Sequence, residues 1–268
     1  MMDWTLGTVA IGAQRLEYAC WGPPPDAAPT LVMLHEGLGS VGLWRDWPAA
    51  VAEATGFGAL AYSRAGYGRS SDAELPRPLD YMAREAEDVL GALLDAAGVT
   101  SAVLLGHSDG ATIAGIYAGS VSDMRVRGLI LIAPHFFTEP AGLAAIAQAK
   151  VAYETGDLRT RLTRYHDAPD TAFYGWHDAW TSPGFAAWDV SDCIDHWRIP
   201  ALVVQGTDDP YGTRAQVEEA EARSYAPVET LVLTGAGHAP HQTDKGAVTE
   251  AAATFCARLQ AFETVSDA

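Results

Sequence analysis

Short unbroken apolar runs, separated by stretches in which apolar residues recur every three or four positions, set the rhythm of this 268-residue chain. The runs are Leu31–Leu34, Ala59–Tyr62, Ala102–Leu105, Gly128–Ile132, Ala201–Val204 and Thr230–Leu233. Each is too short for a buried helix and lacks polar alternation, the pattern of strands covered on both faces. Two earlier segments, Thr5–Ile11 and Arg15–Cys20, read as a strand pair turning at Gly12-Ala13. The breaker cluster Trp21-Gly22-Pro23-Pro24-Pro25-Asp26 ends them. Helical patterns cover Leu79–Ala97 (stopped by Gly98), Ala111–Gly119, Tyr211–Tyr225 and Lys245–Phe262. Strands alternating with helices predict an α/β fold, a mostly parallel, doubly wound sheet of about eight strands.

The alternation fails between Phe136 and Trp197, where no such run occurs and aromatic residues crowd. The reading is a helical cap, 136–197, inserted into a core formed by 1–135 and 198–268. It would lie over the carboxyl ends of the strands, where open sheets bind their ligands, since long insertions in compact domains tend to be functional. A peripheral helical layer with a small core of its own is the alternative.

Gly106-His107-Ser108-Asp109-Gly110 carries the strongest chemical signal. It follows a buried strand and opens a small-residue helix, the setting of a nucleophile elbow. A serine there sits on a sharp, strained turn, and the flanking glycines let strand and helix approach. A serine hydroxyl needs an adjacent base. Among eight histidines, His238 in Gly235-Ala236-Gly237-His238-Ala239-Pro240-His241 follows the last strand and is best placed to meet Ser108. His241 reads as structural or as lining the entrance, and His107, inside the elbow, as a packing or hydrogen-bonding residue. The histidine in turn needs a carboxylate on its other ring nitrogen. Gln205-Gly206-Thr207-Asp208-Asp209-Pro210, after another strand, offers Asp208 and Asp209, and the order Ser, Asp, His suits this architecture.

These pieces, with Leu34-His35-Glu36-Gly37-Leu38-Gly39-Ser40 and Tyr62-Ser63-Arg64-Ala65-Gly66-Tyr67-Gly68-Arg69-Ser70, occur in an order that resembles the α/β-hydrolase superfamily from about residue 30 onward. The resemblance is to its single-domain capped branch of esterases and C–C bond hydrolases. It implies Asp209 as the triad acid and backbone amides of Gly37 and Asp109 as the oxyanion hole. Glu36 departs from the pattern, standing where such proteins usually have glycine. Its charge would oppose an oxyanion unless neutralised, and Arg64 is the expected partner; a role in positioning the nucleophile or a water is the sharper alternative. Glu36, Leu38, His135, Phe136, Trp176, Trp180 and Tyr211 are candidates for the substrate pocket.

Composition narrows the picture. Lys+Arg 17 against Asp+Glu 34 gives a formal charge of -17, which argues against nucleic acid or an anionic membrane as partner and otherwise reads as solubility; the expected partner is a small-molecule substrate. No apolar stretch approaches the ~20 residues of a membrane span, and Met1–Gly7 lacks the basic and apolar segments of a secretory signal. Cys20, Cys193 and Cys256 are scattered, as packing thiols in a reducing cytoplasm would be. No metal-ligand spacing or cofactor motif is visible, so neither metal nor cofactor is expected, and a homo-oligomer is left open. The expected reaction is hydrolysis of a small or medium apolar or aromatic ester through an acyl-serine. Cleavage of a C–C bond, lactone or thioester by the same triad, or a ligand receptor on the same fold, are the alternatives. Dehalogenation is disfavoured because it needs a carboxylate at position 108.

Overall fold

The computed structural model describes residues 5–266, so Met1–Trp4, part of the stretch read for a secretory signal, lie outside the described residues. The strands are β1 (Leu6–Ile11), β2 (Gln14–Trp21), β3 (Thr30–Leu34), β4 (Gly58–Tyr62), β5 (Ala102–His107), β6 (Val126–Ile132), β7 (Ala201–Gly206) and β8 (Val228–Leu233). They form one sheet in the order β1-β2-β4-β3-β5-β6-β7-β8. β4 through β8 in that order pair in parallel, while β2 pairs antiparallel with both neighbours. In β3, β4, β5 and β7 every residue is buried, which is why their sequences show no polar alternation.

Helices cover both faces. On one, Val32, Leu104 and Leu129 pack with residues of α3 (Gly91–Ala97) and α4 (Asp109–Ser120). On the other, Leu31, Met33, Val103 and Ile130 meet α1 (Trp47–Thr55) and α10 (Lys245–Ser266). The pattern read as one helix over Leu79–Ala97 starts at Tyr81 as α2 (Tyr81–Arg84), widens into a π-helical segment Glu85–Leu90, and continues as α3. The helix expected from Tyr211 begins later, as α8 (Ala215–Arg223), because the backbone before it is committed elsewhere. The Tyr211 amide donates to Asp209 Oδ1 (2.9 Å), and the Gly212 carbonyl accepts from Gln205 Nε2 (3.1 Å).

Between β6 and β7 lie α5 (Pro140–Glu154), α6 (Leu158–Leu162) and α7 (Pro169–Trp180). Their buried Phe173, Trp176 and Trp180 share one apolar cluster with Leu34 and Tyr62 of the sheet and Ile113 of α4, so these helices have no separate core. From Ser191 onward the chain packs on α4: a Cβ at Gly119 would strike the Cys193 carbonyl, and Trp197 Nε1 donates to the Gly115 carbonyl (2.8 Å). Among the described residues Cys20, Cys193 and Cys256 form no disulfide, and the latter two are buried. Among the described residues, no helix is long and apolar enough to cross a membrane.

Candidate active site

The chain runs from β3 to β4 on one side, then crosses back so that β5 lies on the other side of β3. Loops leaving β3 and β5 therefore part at a topological switch point, the crevice where such sheets hold ligands. The β3 loop carries Glu36 and Gly37, and the β5 turn carries Ser108. Ser108 has φ 53° and ψ −120°, a left-handed conformation rare for a residue with a side chain. Its amide donates to the Ile132 carbonyl (2.9 Å), and its own carbonyl accepts from the Thr112 amide (3.0 Å), so the turn is fixed on both sides. The glycines are sterically required. A Cβ at Gly106 would run into the Gly110 carbonyl, and one at Gly110 into the Leu34 carbonyl.

His238 lies on the loop after β8, and His107 beside Ser108 holds that loop: His107 Nε2 donates to the His238 carbonyl (2.7 Å). The two rings are 4.9 Å apart. Of the paired acids, Asp209 meets the histidine, with Nδ1 of His238 donating to Asp209 Oδ2 (2.8 Å). A carboxylate only accepts, so the neutral ring carries its proton on Nδ1 and keeps a lone pair on Nε2. Gln205 Nε2 donates to the same Oδ2 (2.9 Å), and the Tyr211 amide to Oδ1. Burial alone would push the Asp209 carboxyl up, but these donors outweigh it and bring it down to about 2. Asp208 is exposed and bonds only locally, to the Thr207 hydroxyl (3.0 Å).

The expected pairing of Glu36 with Arg64 does not form. Arg64 is buried and spends its donors on backbone, giving Nη1 to the His35 carbonyl (2.6 Å) and Nη2 to the Glu36 carbonyl (3.1 Å). Its ionic partner is Asp109 (3.7 Å), a residue from another element that no local spacing reveals. The Glu36 carboxylate, 26 % exposed, faces His107 Nδ1 at 3.7 Å instead. Burial would raise the Glu36 carboxyl, yet the His107 ring that faces it holds it well below the usual range.

The other pocket candidates divide. Tyr211 sets its ring edge-on to His238 (4.7 Å), and His135 lies between His238 (5.7 Å) and Trp180 (5.4 Å). Trp176 covers the β3 loop so closely that a Cβ at Gly37 would overlap its indole. Leu38 is half-buried, and its carbonyl accepts from His166 Nε2 (2.9 Å), whose Nδ1 takes the Gly68 amide (2.9 Å). His166 thus ties the Tyr67-Gly68 turn to the β3 loop, a role invisible in a sequence where it stands outside any motif. Phe136 leaves the pocket list: its fully buried ring packs on Trp197 (5.7 Å) and against Gly115, in the core behind α4. A groove of 820 Å³ opens at the opposite end of the sheet, near Val126, Arg198, Pro227 and Phe255, and none of the predicted site residues lines it. At the candidate site Ser108 is 6 % exposed, so access is narrow.

Four histidines around this edge are buried and kept neutral. Burial lowers His35, His166 and His241, and pushes His135 down to about 3 with help from His238. Free imidazole titrates near 6.5, so below that pH the unfolded chain binds protons that the folded chain refuses. The stabilisation is complete above about pH 6.5 and is lost as pH falls toward the folded values, at up to about 1.4 kcal/mol per pH unit for each ring. Urea unfolding is therefore expected to give markedly lower stability at pH 5.5 than at pH 7, while most carboxylates remain ionised at both. Equal stabilities would contradict neutral burial. Among the described residues, no three His, Cys, Asp or Glu side chains converge as a metal site.

Known proteins share this framework. The chain is 25% identical over 254 residues to a non-heme chloroperoxidase of Streptomyces lividans, covering 78% of this chain and 86% of that one. It is 26% identical over 232 residues to a bifunctional esterase/perhydrolase of Acinetobacter calcoaceticus, covering 72% and 78%. The fold superposes on the crystal structure of the enol-lactonase from Burkholderia xenovorans with a TM-score of 0.72 at 22% identity, over 93% of this chain and 99% of that one. Residues 31–251, from β3 into α10, match the pattern of the alpha/beta hydrolase family, and with the sheet order and strained Ser108 turn in hand the chain belongs to that family.

Proposed function

We propose that this hydrolase is a serine carboxylic ester hydrolase acting on small or medium, apolar or aromatic substrates. One observation carries the reading: a fully buried Asp209 carboxylate fixes the tautomer of His238, on a loop hydrogen-bonded to the turn that presents Ser108. His238 Nε2 takes the Ser108 proton as Oγ attacks the ester carbonyl. The resulting oxyanion is met by the amides of Asp109 and Gly37, the first at the N-terminus of α4, where the helix dipole also favours negative charge. Collapse expels the alcohol, protonated by His238, and leaves an acyl-serine. His238 then deprotonates water for the second attack and returns the proton to Ser108.

Residues 136–197 act in this reading as the cap, with α7 as the part over the site. In this reading the rings of Trp176, Trp180, His135 and Tyr211 would meet the acyl portion, which favours an aromatic or alicyclic one. Ester chemistry agrees with the esterase/perhydrolase relative, and three scattered cysteines that form no disulfide agree with a reducing cytoplasm.

The test is a panel of p-nitrophenyl esters, lactones, thioesters and ring-fission diketones, run with fluorophosphonate labelling and peptide mapping. Multiple turnover on the esters, with the adduct on Ser108, is the expected result. Labelling without turnover on any class would favour a ligand receptor, and preference for the diketones would move the reaction to C–C cleavage.

A further inference from the structure

Trp176 and Trp180 stand one turn apart on α7, and each reaches one of the two residues assigned above as oxyanion donors. Trp176 lies directly on the Gly37 backbone, where a Cβ would overlap its indole. Trp180 reaches the other donor through a chain of hydrogen bonds: its Nε1 donates to Tyr81 Oη (2.9 Å), and Tyr81 Oη donates to Asp109 Oδ2 (2.5 Å). Asp109, Tyr81 and Trp180 are all buried, at 0%, 5% and 4% exposure. Arg64 closes the loop, 3.7 Å from Asp109 Oδ2 and bonded to the carbonyls of His35 and Glu36 just before Gly37.

We infer that Trp176 and Trp180 form a two-point clamp through which the seating of α7 sets the oxyanion site, with Tyr81 and Trp180 as positioning residues. The inference rests on the triad reading proposed above. Its physics is electrostatic. Asp109 carries a carboxylate beside the amide that must stabilise an oxyanion, in a site shielded from water where unbalanced charge is felt strongly. Burial pushes the Asp109 carboxyl above its ordinary range, and Arg64 and the Tyr81 hydroxyl pull against that shift, so both favour the ionised form and disperse its charge. Trp180 polarises the tyrosine hydroxyl as its donor, which strengthens the bond to Asp109. A substrate that let α7 seat fully would gain the complete donor set, and one that propped it up would lose it, so the clamp also selects substrates in kcat.

Trp180→Phe keeps a ring and deletes one N–H; Tyr81→Phe keeps a ring and deletes the hydroxyl. Each is expected to lower kcat about tenfold with KM within about twofold, the mark of an interaction made in the transition state. Because the bonds are in series, the double variant should be no slower than Tyr81→Phe alone, and a boronic acid transition-state analogue should weaken in step with kcat. Unchanged kcat in folded Trp180→Phe, or strictly multiplicative losses in the double variant, overturns the clamp. If Tyr81→Phe fails to fold, kcat and boronate affinity of Trp180→Phe decide alone. Ser108→Ala separates the two levels: turnover surviving there sinks the triad reading, whereas turnover lost there and untouched in Trp180→Phe sinks only the clamp.

Discussion

Ser108→Ala is expected to lower ester turnover about 10⁶-fold while leaving the fold in place, because no other step supplies the oxygen that forms the acyl intermediate. The bonds that hold the turn are backbone bonds, Ser108 to Ile132 and Thr112 to Ser108, and alanine keeps both. Alanine at φ 53° is strained as serine is, so the strain cancels between variant and parent. Thermal unfolding should therefore shift by no more than about 2 °C, since the substitution touches none of the usual destabilising mechanisms. Steady-state kinetics on the best panel ester, beside a melting curve, checks both halves. Turnover within a factor of ten of the parent would remove serine catalysis whatever the geometry of the turn.

How far such a site is readable before folding depends on the range of the interactions that build it. The strands were legible because burial on both faces writes itself into contiguous residues such as Leu31–Leu34 and Ala102–Leu105. The Ser108 turn was legible because its steric demand falls on glycines two positions away on either side. Interactions across elements left no such trace. Arg64 was the expected cation for Glu36, yet the carbonyls of His35 and Glu36 and the Asp109 carboxylate claim it. The π-helical widening at Glu85–Leu90 breaks no apolar period, but it delivers Glu85 to the interior, where it accepts from Tyr62 Oη at 2.8 Å. Likewise Trp176 gives no sign in the sequence that a glycine distant along the chain makes room for it. No helix is predicted from the sequence over α1, whose proline lies in the first turn, where it is compatible with a helix start.

Asp209→Asn should be the second largest loss, about 10⁴-fold in kcat/KM, and Asp208→Asn should stay within about twofold. The contrast follows from donor counting. Both Asp209 oxygens accept: Oδ1 from the Tyr211 amide, Oδ2 from His238 Nδ1 and from Gln205 Nε2. An asparagine has one acceptor oxygen and one donor nitrogen, so one of these positions must turn from acceptor to donor. With the oxygen kept toward Tyr211, the amide nitrogen confronts His238 Nδ1–H, and the ring escapes by moving its proton to Nε2. That tautomer has no lone pair for the Ser108 hydroxyl, and the imidazolium that must form during attack loses its buried counter-charge. With the side chain flipped, the amide nitrogen faces the Tyr211 amide and disturbs the loop that keeps residues 209–213 out of helix α8. Asp208 bears none of this, since its carboxylate is exposed and takes only a neighbouring hydroxyl. Kinetics of the two asparagine variants at one pH therefore read directly which carboxylate orients the base. Equal losses in both, or a larger loss at 208, would transfer the role to the neighbouring acid and require the 208–209 turn to rearrange during catalysis.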